Sequence, residues 1–431
     1  MPKREEISYF GAGPAPLPTS ILEAGAQAFV NYKDTGLSLA EISHRSSLAA
    51  GIIQDTKTAL ISLLDIPDDY EIIFMHGGGS GEFSAVVFNM VAIWVERRRR
   101  AAVNELGDDE AKVLERVKKE IHEDLKLDYL VTGSWSLKAS QEASNLLEPL
   151  GKSFVNVTID ARNANNGKFG KIQPESEWNL TSTPEQGAKG SAYTYYCDNE
   201  TVDGVEFPSF PKILDDGDTS RNIVCDMSSN FISRRVAVSK YAVIFGGAQK
   251  NIGITDTTVV IIRKSLLESY PTPSFLHSCG IWSPPVVFNW STIAKNNSLY
   301  NTMPIFSIWI AGEVMRLLLS KYGTAKVSGQ ESTSAEKAAI IYDILDANPD
   351  AYQVCADKSV RSRMNICFRV CGGDAGKEKD FLEGAERRGL QGLKGHRSVG
   401  GIRISNYNAV SVATVKKLAV WLVDFMQPPM T

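Results

Sequence analysis

The stretch Tyr241–Gly253, YAVIFGGAQKNIG, decides how the rest of the sequence is interpreted. Its apolar run from Tyr241 to Phe245 predicts a buried strand, and the two glycines that follow predict the end of that strand. Lys250 comes shortly after them. A lysine close to the end of a core strand is partly desolvated, which leaves a nucleophilic amine able to form a Schiff base with an aldehyde cofactor. The local alternative is a surface lysine after a strand.

Length and composition indicate a globular chain with more than one core. The chain has 431 residues, 43% of them hydrophobic and 22% charged, which predicts two or more core-bearing units. The net charge of −4 gives no reason to expect nucleic acid as a partner. The stretch MPKREEISYFG has no apolar h-region, so we expect no secretory signal, and the longest near-apolar run, Ala85–Val95, is too short to span a bilayer. The six scattered cysteines suggest neither a metal site nor a disulfide framework, so we expect a cytoplasmic protein.

A second stretch has the pattern of a phosphate site. Ile72–Met75 predicts a short strand, His76–Phe83 (HGGGSGEF) is a glycine-rich turn, and Glu82–Glu96 predicts a helix. In such an arrangement freed N–H groups and the helix dipole converge on an anion, although the spacing matches neither the P-loop nor GxGxxG. A tight structural turn is the alternative, but four glycines within five residues exceed what a turn needs.

Three further side chains follow predicted strands. Trp135 comes after a strand at 129–132, Thr201 lies in the loop after a strand at 192–197, and Asp226 ends a strand at 223–225. Trp135 is either a core residue or a residue that stacks on a flat ligand. The carboxylate is a helix cap, a hydrogen-bonded core acid or the partner of a protonated pyridine nitrogen. Because ligands bind where strand ends meet a crevice, Asp226 and Lys250 are expected to face the same site.

Two polar segments carry candidate anion-binding cations. His44 and Arg45 precede a predicted helix at about 48–64, and they indicate equally well a capped helix start with exposed charge or an anion site at a helix N-terminus. His396, Arg397 and Arg403 lie in a segment rich in glycine and cations. Solvated charge is the alternative there, but clustering with glycine favours an anion site.

The segment Arg97–Lys126 differs in composition from its surroundings. It opens with four arginines and becomes acidic from Glu105 to Glu110. Since the acids cancel the field of the arginines, a nucleic-acid role is not expected. Apolar residues recur at helical spacing, which predicts a solvated helical excursion with one apolar stripe: Val113, Val117, Ile121 and Leu125. Further helices are predicted at 305–322, 334–348, 377–388 and 412–426.

Together these features supply what pyridoxal phosphate requires of a protein. Their order and wording resemble the phosphoserine aminotransferase family, in the class V branch of the fold-type I pyridoxal phosphate enzymes. The resemblance runs over nearly the whole chain. The matching stretches are SHRS at 43–46, HGGGSGEF at 76–83, GSWS at 133–136, DNETVDG at 198–204, GGAQKNIG at 246–253, YNTMP at 300–304 and LKGHRSVGGIRIS at 393–405.

The resemblance implies an α/β fold with two domains. The large cofactor-binding domain, 17–327, would hold a mostly parallel mixed sheet flanked by helices and carry the charged insertion at about 95–127. A smaller α+β domain would combine 1–16 with 328–431. The implied reaction is the reversible transamination of 3-phosphooxypyruvate with L-glutamate to O-phospho-L-serine and 2-oxoglutarate, in L-serine biosynthesis. The implied assembly is a homodimer with shared active sites and no metal.

The resemblance also assigns roles to residues. Lys250 would hold the cofactor and move the proton between substrate and cofactor, and Asp226 would pair with the ring nitrogen. The other implied cofactor contacts are Trp135 on the ring, Thr201 on its hydroxyl, Gly79, Ser80 and Gln249 on the phosphate, and Asn301 and Thr302 reaching that phosphate from the partner subunit. The implied substrate contacts are Arg403 for the α-carboxylate, and His44, Arg45, His396 and Arg397 for the distal phosphate or the glutamate side-chain carboxylate.

Departures from the family pattern and rival functions remain to be weighed. Bacterial members often have arginine where this chain has Ser80, and the insertion is longer than their compact pattern.

A transaminase for smaller substrates would leave the His/Arg cluster surplus, and a phosphate-binding protein would not need Lys250 and Asp226 together. A cysteine desulfurase needs a cysteine on a mobile loop, and none of the six is expected on a glycine-flanked loop.

Overall fold

A seven-stranded mixed sheet organises the larger part of the chain. The computed structural model describes residues 2–151, 153–182, 190–215, 221–268 and 270–427. The strands of the described chain are β1 Ser8–Tyr9, β2 Tyr70–Met75, β3 Leu127–Val131, β4 Val155–Asp160, β5 Tyr193–Cys197, β6 Asn199–Glu200, β7 Val205–Glu206, β8 Ile223–Asp226, β9 Val243–Gly247, β10 Thr258–Arg263, β11 Tyr352–Val354, β12 Asn365–Val370, β13 Leu390–Gln391 and β14 Ile402–Ser405.

The helices of the same ranges cover the sheet and build a second, smaller unit. They are α1 Thr19–Val30, α2 Ser47–Leu64, α3 Gly78–Leu106, α4 Glu110–Asp124, α5 Ser134–Leu147, α6 Pro273–Ser278, α7 Trp290–Lys295, α8 Ile305–Tyr322, α9 Lys326–Ala347, α10 Ala375–Arg387 and α11 Val412–Asp424.

The sheet has the strand order β2-β10-β9-β8-β5-β3-β4. Only β10 runs antiparallel to its neighbours, so the carboxyl ends of the other six strands lie along one edge. The predicted α/β fold with a mostly parallel mixed sheet is therefore confirmed. The loops that leave this edge carry the glycine-rich turn, Trp135, Thr201, Asp226 and Lys250.

Both faces of the sheet are buried, which explains why its strands are apolar without alternation. Ile72 and Phe74 of β2 point into a core shared with α1, α2 and α8. Ile73 and Met75 point to the opposite face, into a core shared with α3, α4, α5 and α7. Successive side chains of a strand alternate between the two faces, so one apolar strand serves both cores.

A separate core lies in the second unit. It combines Phe10 with residues between Ala338 and Leu422. Its antiparallel sheet has the order β11-β12-β14, and β1 pairs in parallel with β13 through Ser8 and Leu390. The boundaries given above for the two domains stay a prediction, and residues 1 and 428–431 of that division lie outside the described residues.

A fully buried lysine shapes the contact between the two units. Lys337 of α9 donates to three main-chain carbonyls of the loop 406–410, at 2.8 to 3.1 Å. Burial lowers the pKa of Lys337 to about 7, whereas three acceptors favour the ammonium form. The same loop reaches the large unit, where the amide N–H of Asn408 donates to the side chain of Asn251 at 2.9 Å. The loop thus links the small unit to the residue after Lys250.

The charged insertion is helical, as predicted. Val113, Val117 and Ile121 of α4 pack into the core on the α3 side of the sheet. The four arginines lie within α3, where Glu96 accepts hydrogen bonds from Arg99 and Arg100 at 2.7 to 2.8 Å. By length and composition α3 could span a membrane, but 67% of its most apolar window is buried, as in the core helix of a globular protein.

Two element predictions were wrong. The glycines after Phe245 do not end the strand, because β9 continues through Gly247, which pairs with Thr258 of β10. The helix expected from Glu82 starts at Gly78 and runs on to Leu106. Gly77 and Gly78 have φ of +98° and +60°, so the chain turns into the helix within the glycine run itself.

Candidate active site

Lys250 stands in the turn after β9, with its side chain directed at the loop that follows β6. Its Nζ donates to the hydroxyl of Thr201 at 2.7 Å and lies 5.8 Å from the centroid of the Trp135 ring. Burial lowers the pKa of Lys250, while the negative charge of Asp226 opposes that shift. A desolvated amine next to a hydroxyl and a flat ring has the surroundings of a nucleophile. The surface-lysine alternative does not hold.

Asp226 ends β8 and is 5% exposed. One carboxylate oxygen, Oδ1, accepts from the N–H and the hydroxyl of Ser228 at 2.8 and 2.6 Å. The other oxygen, Oδ2, lies toward Gly79, where a Cβ would be 3.7 Å away. Burial raises the pKa of Asp226, whereas Ser228 and Lys250 lower it. One oxygen is therefore fixed by the protein, and the other faces the space below the glycine-rich turn.

The glycine-rich turn forms the start of α3. Gly79 and Ser80 are in the first helical turn, whose N–H groups have no partner within a helix. The dipole of this 29-residue helix adds partial positive charge at the same place. Gly79 faces Asp226 and Ser228, so a side chain there would enter the space between them. The turn thus has the properties of an anion site, as the glycine pattern predicted.

Trp135 and Thr201 come from two neighbouring loops that interlock. Trp135 is at the start of α5, and its indole packs near Phe83 with ring centroids 6.4 Å apart. Its buried Nε1 has no hydrogen-bond partner among the described residues. Thr201 follows β6, whose Glu200 accepts from the backbone N–H of Trp135 at 2.8 Å. The ring and the hydroxyl predicted to contact the cofactor are therefore held by one connected group of residues.

The segment Gly11–Pro18, which is rich in glycine and proline, forms another wall of the site. Ala15 donates its N–H to the carbonyl of Gln249 at 2.9 Å. Gly13 lies against Lys250, and a Cβ at that position would be 3.5 Å from the lysine Cγ. Gln249 and Lys250 are half-buried under this segment. The segment before α1 therefore narrows the space around the lysine.

Arg403 lies on β14, next to the loop that carries Thr201. Its Nη1 donates to the carbonyl of Thr201 at 3.4 Å. No ion pair involving Arg403 is present among the described residues, although burial lowers the pKa of Lys250 and the charge of Arg403 lowers it further, and the same charge opposes the rise that burial causes in the pKa of Asp203. A half-buried guanidinium without a carboxylate partner is available for a carboxylate of a ligand.

His396 and Arg397 lie on the turn before β14. The Nδ1 of His396 is 2.6 Å from the Ser398 hydroxyl. Burial lowers the pKa of His396, and the charges of Arg403, Lys138 and Arg397 lower it further. Arg397 is exposed. The structure therefore brings three of the five predicted substrate cations close together.

The other two predicted cations lie at the start of α2. His44 and Arg45 precede α2, whose N-cap is Ser46, so the capped helix start is present. Arg45 is exposed, and the buried Nε2 of His44 has no hydrogen-bond partner in the described ranges. Within those ranges no hydrogen bond or ion pair joins either residue to Lys250 or Arg403. Their assignment to the site stays a prediction.

Asn301 and Thr302 lie on the segment between α7 and α8. Thr302 is exposed, and its carbonyl is 3.3 Å from Nε2 of His76, at the start of the glycine-rich turn. Asn301 is half-buried. Their predicted reach to the phosphate of a partner subunit stays a prediction.

The sequence interpretation missed three residues that shape the site. Ser228 fixes Asp226, and Lys138 places its Nζ 4.4 Å from the centroid of the Trp135 ring. Glu200 holds the start of α5 from a neighbouring loop. Glu200 stood within the quoted stretch DNETVDG, one residue before Thr201. Lys138 is one helical turn beyond Trp135, so helical spacing could have indicated both its position and its cation–π contact.

The expectation that no cysteine lies on a glycine-flanked loop was wrong. Cys371 is exposed and precedes Gly372 and Gly373. The sulfur is nevertheless distant from the site, because β12 separates it from Asn365, which bonds to Asn199 near the Thr201 loop. Six residues of strand correspond to about 20 Å. A desulfurase function is therefore not supported.

The chain is similar in sequence and in structure to known proteins. The sequence matches the family model for class-V aminotransferases over residues 7–142 and 155–418. The phosphoserine aminotransferase of Saccharomyces cerevisiae is 42% identical over 429 residues, covering 99% of this chain and 98% of that relative. The phosphoserine aminotransferase structure from Bacillus circulans subsp. alkalophilus has a TM-score of 0.79 at 31% identity and covers 98% of both chains. The chain belongs to the class-V aminotransferase family.

Within this family the chain groups with the phosphoserine aminotransferases. A pyridoxal phosphate-bound phosphoserine aminotransferase from Trichomonas vaginalis has a TM-score of 0.78 at 32% identity, covering 97% of this chain and 99% of that one. The resemblance drawn from the motifs is confirmed, and so are the fold-type I class and the cofactor. The residues present fit that cofactor, because Asp226 keeps one oxygen directed below the glycine-rich turn and Lys250 is a desolvated amine.

Proposed function

We propose that this chain catalyses the transamination of 3-phosphooxypyruvate with L-glutamate, giving O-phospho-L-serine and 2-oxoglutarate in L-serine biosynthesis. One observation carries the proposal. A desolvated lysine, a buried carboxylate and a helix N-terminus meet at one edge of the sheet, beside an arginine with no ion pair in the described chain. The relatives at 35 to 42% identity over nearly their full length are named as phosphoserine aminotransferases or as putative or probable ones, which supports the same reaction.

The cofactor side of the site suits proton transfer at a bound substrate. Pyridoxal phosphate supplies an electron sink for the electrons left at the substrate α-carbon. Lys250 would hold the cofactor aldehyde through Nζ, and its amine, when free, would act as the base and acid that moves the substrate α-proton. The lowered pKa of Lys250 favours the neutral amine that this role needs. The Thr201 hydroxyl, 2.7 Å from Nζ, orients that amine.

Other residues hold the cofactor ring in place. The free oxygen of Asp226 would pair with the ring nitrogen, and its negative charge would favour the protonated form of that nitrogen. Trp135 would stack on the ring, and the Thr201 hydroxyl would bond the ring hydroxyl. Gly79 and Ser80 offer backbone N–H groups to the phosphate, so the serine in place of arginine leaves that contact intact.

The substrate side recognises two anionic groups. Arg403 binds the α-carboxylate, which every substrate of the reaction carries. His396 and Arg397, with His44 and Arg45, bind the distal phosphate or the side-chain carboxylate of glutamate. A substrate without a second anion would leave these cations without a partner, which disfavours a transaminase for smaller substrates.

The proposed assembly is a cytoplasmic homodimer with shared sites. Exposed apolar side chains precede Asn301 along the chain and offer a surface for a second copy: Trp282, Val286, Val287 and Tyr300, with 44 to 61% of each side chain exposed. The cysteines carry no disulfide in the described chain, which fits a reducing compartment.

The first experiment is a visible absorption titration of the purified protein loaded with pyridoxal phosphate. A yellow band that bleaches with L-phosphoserine at low concentration, but not with L-serine, is the expected result. Bleaching by serine or alanine instead would keep the cofactor and move the substrate to another class-V transaminase. A chain that forms no band with added pyridoxal phosphate would contradict the proposal.

Subunit sharing is tested by mixing two inactive variants. We co-express Lys250→Ala with the double variant Asn301→Ala/Thr302→Ala. If Asn301 and Thr302 act in the partner's site, a mixed dimer has one intact site, and activity returns to roughly a quarter of wild type for random pairing. No recovery would show that these residues serve their own chain. Full activity of the double variant by itself would remove them from the site.

Cellular location is tested with a fluorescent fusion in a cell of the source organism. Diffuse signal outside organelles is expected, whereas signal confined to an organelle would contradict the cytoplasmic assignment.

A further inference from the structure

The start of α5 is held by carboxylates from another loop instead of by its own N-cap residue. Gly133 occupies the N-cap position and has no side chain to accept from the first N–H groups. Asp203 accepts from the N–H of Ser134 at 2.7 Å. Glu200 accepts from the N–H groups of Trp135 and Ser136 at 2.8 and 2.9 Å, one on each oxygen. Three N–H groups that a helix leaves without internal partners are thus satisfied from the end of β6 and the loop that follows it.

The fit between loop and helix is specific. A Cβ on Gly133 would lie 2.3 Å from Cγ of Glu200, so only glycine allows the carboxylate to come this close. The hydroxyl of Ser136 adds another bond to Glu200 at 2.6 Å. Glu200 has no exposed surface. Burial and the neighbouring charge of Asp203 raise the pKa of Glu200, whereas the Ser136 and Trp135 donors lower it and favour the carboxylate. Those donors and the helix dipole offset the cost of burying the charge.

We infer that Glu200, assisted by Asp203, is a positioning residue that fixes the indole of Trp135 relative to Thr201 and Lys250. Glu200 bonds the backbone of Trp135, and the next residue, Thr201, bonds Nζ of Lys250. A shift of the loop therefore moves the ring-stacking residue and the lysine partner together. The inference rests on the proposed function, because it concerns how the chain holds the pyridoxal phosphate ring.

A double-mutant cycle separates this role from a general structural one. We measure the dissociation constant of pyridoxal phosphate by equilibrium dialysis for wild type, Glu200→Gln, Trp135→Phe and the double variant. Glutamine keeps the shape but presents an NH₂ group to one of the helix N–H groups. We expect Glu200→Gln to weaken binding about tenfold, the loss of a charge-assisted hydrogen bond. In the Trp135→Phe background the same change should weaken it less than about twofold, because coupled residues are not additive.

A matched control lies on the same helix. Glu142 of α5 accepts from Ser84 at 2.6 Å and does not contact the start of the helix, so Glu142→Gln should bind the cofactor as wild type does. The circular dichroism induced in the cofactor band at saturation is a second readout of the ring's environment. It should fall in Glu200→Gln and stay unchanged in Glu142→Gln.

Different results of the mutant cycle would contradict the positioning role of Glu200 and the proposed function of the chain. Equal losses in both backgrounds, or no loss from Glu200→Gln, would overturn the positioning role. If far-UV circular dichroism shows that Glu200→Gln does not fold, Asp203→Asn enters the same cycle, with an expected loss of about threefold that disappears with Trp135→Phe. A wild-type chain that does not bind pyridoxal phosphate would instead overturn the proposed function.

Discussion

The cofactor side and the substrate side of the site hold their polar groups in different ways. On the cofactor side, Asp226 is 5% exposed, and Lys250 and Asp226 each have a defined partner in Thr201 or Ser228. On the substrate side, Arg397 is exposed, and the Arg403 side chain donates to a main-chain carbonyl and forms no ion pair within the described residues. The first arrangement is preorganised for a ligand that stays bound. The second leaves positive charge for anions that come and go.

The largest expected effect comes from removing the lysine of the cofactor side. Lys250→Ala should lower kcat at least about 10³-fold, because it removes both the bond to the cofactor and the proton carrier. Single-turnover absorption with phosphoserine checks this. Lys264→Ala is the control, since Lys264 is exposed and bonds a distant carbonyl. Wild-type turnover in Lys250→Ala would contradict the assignment.

The second effect concerns the buried acid. Asp226→Asn keeps the shape and the bonds to Ser228 but removes the charge that holds the ring nitrogen protonated. We expect kcat to fall about 10²- to 10³-fold, typical of losing a preorganised electrostatic group, with cofactor still bound. Ser228→Ala removes one of the two bonds to Oδ1 and should cost less. If Ser228→Ala lowered kcat as much as Asp226→Asn, orientation and not charge would be decisive.

On the substrate side, variants of Arg403 and Arg397 should show that each residue recognises a different anionic group of the substrate. Arg403→Ala should raise KM about 10- to 100-fold for both glutamate and phosphoserine, because both carry an α-carboxylate. Arg397→Ala should raise KM less and mainly for phosphoserine, with an effect that weakens at high salt because this side chain is exposed. Steady-state kinetics with both substrates checks this. Equal effects of the two variants on both substrates would show that the two cations do not have separate roles.

The smallest effect is a pH dependence at His396. Burial, with the charges of Arg403, Lys138 and Arg397, lowers the pKa of this imidazole, so it takes up a proton only at lower pH than an imidazole in water does. The added positive charge should then lower KM for phosphoserine by about threefold as pH falls. The substrate phosphate titrates near pH 6 as well, so the quantity to compare is the KM ratio between wild type and His396→Gln. A ratio that does not vary with pH would exclude the imidazole from phosphate binding.

Local patterns predicted the elements that depend on local forces. The helix expected at 305–322 is α8, Ile305–Tyr322, because its run of good helix formers ends at Gly323. The helix predicted from Ser334 starts earlier, at Lys326, because buried contacts of Val327 and Gln330 extend it. The glycines of β9 are strand residues because Gly246 fits against Phe231 and Ser228, which local propensity does not show.

The motifs predict which residues carry the chemistry, Lys250, Asp226, Trp135 and Thr201, and the order of the motifs indicated the family. How these residues are held follows from the fold and not from the motifs. Six parallel strands bring the loops to one edge, and Glu200 caps a helix 64 residues away in sequence from its own position. The physical reason is that the chemistry of the ligand sets the residue types of a motif. The residues that position the motif are set by contacts between segments that are distant along the chain.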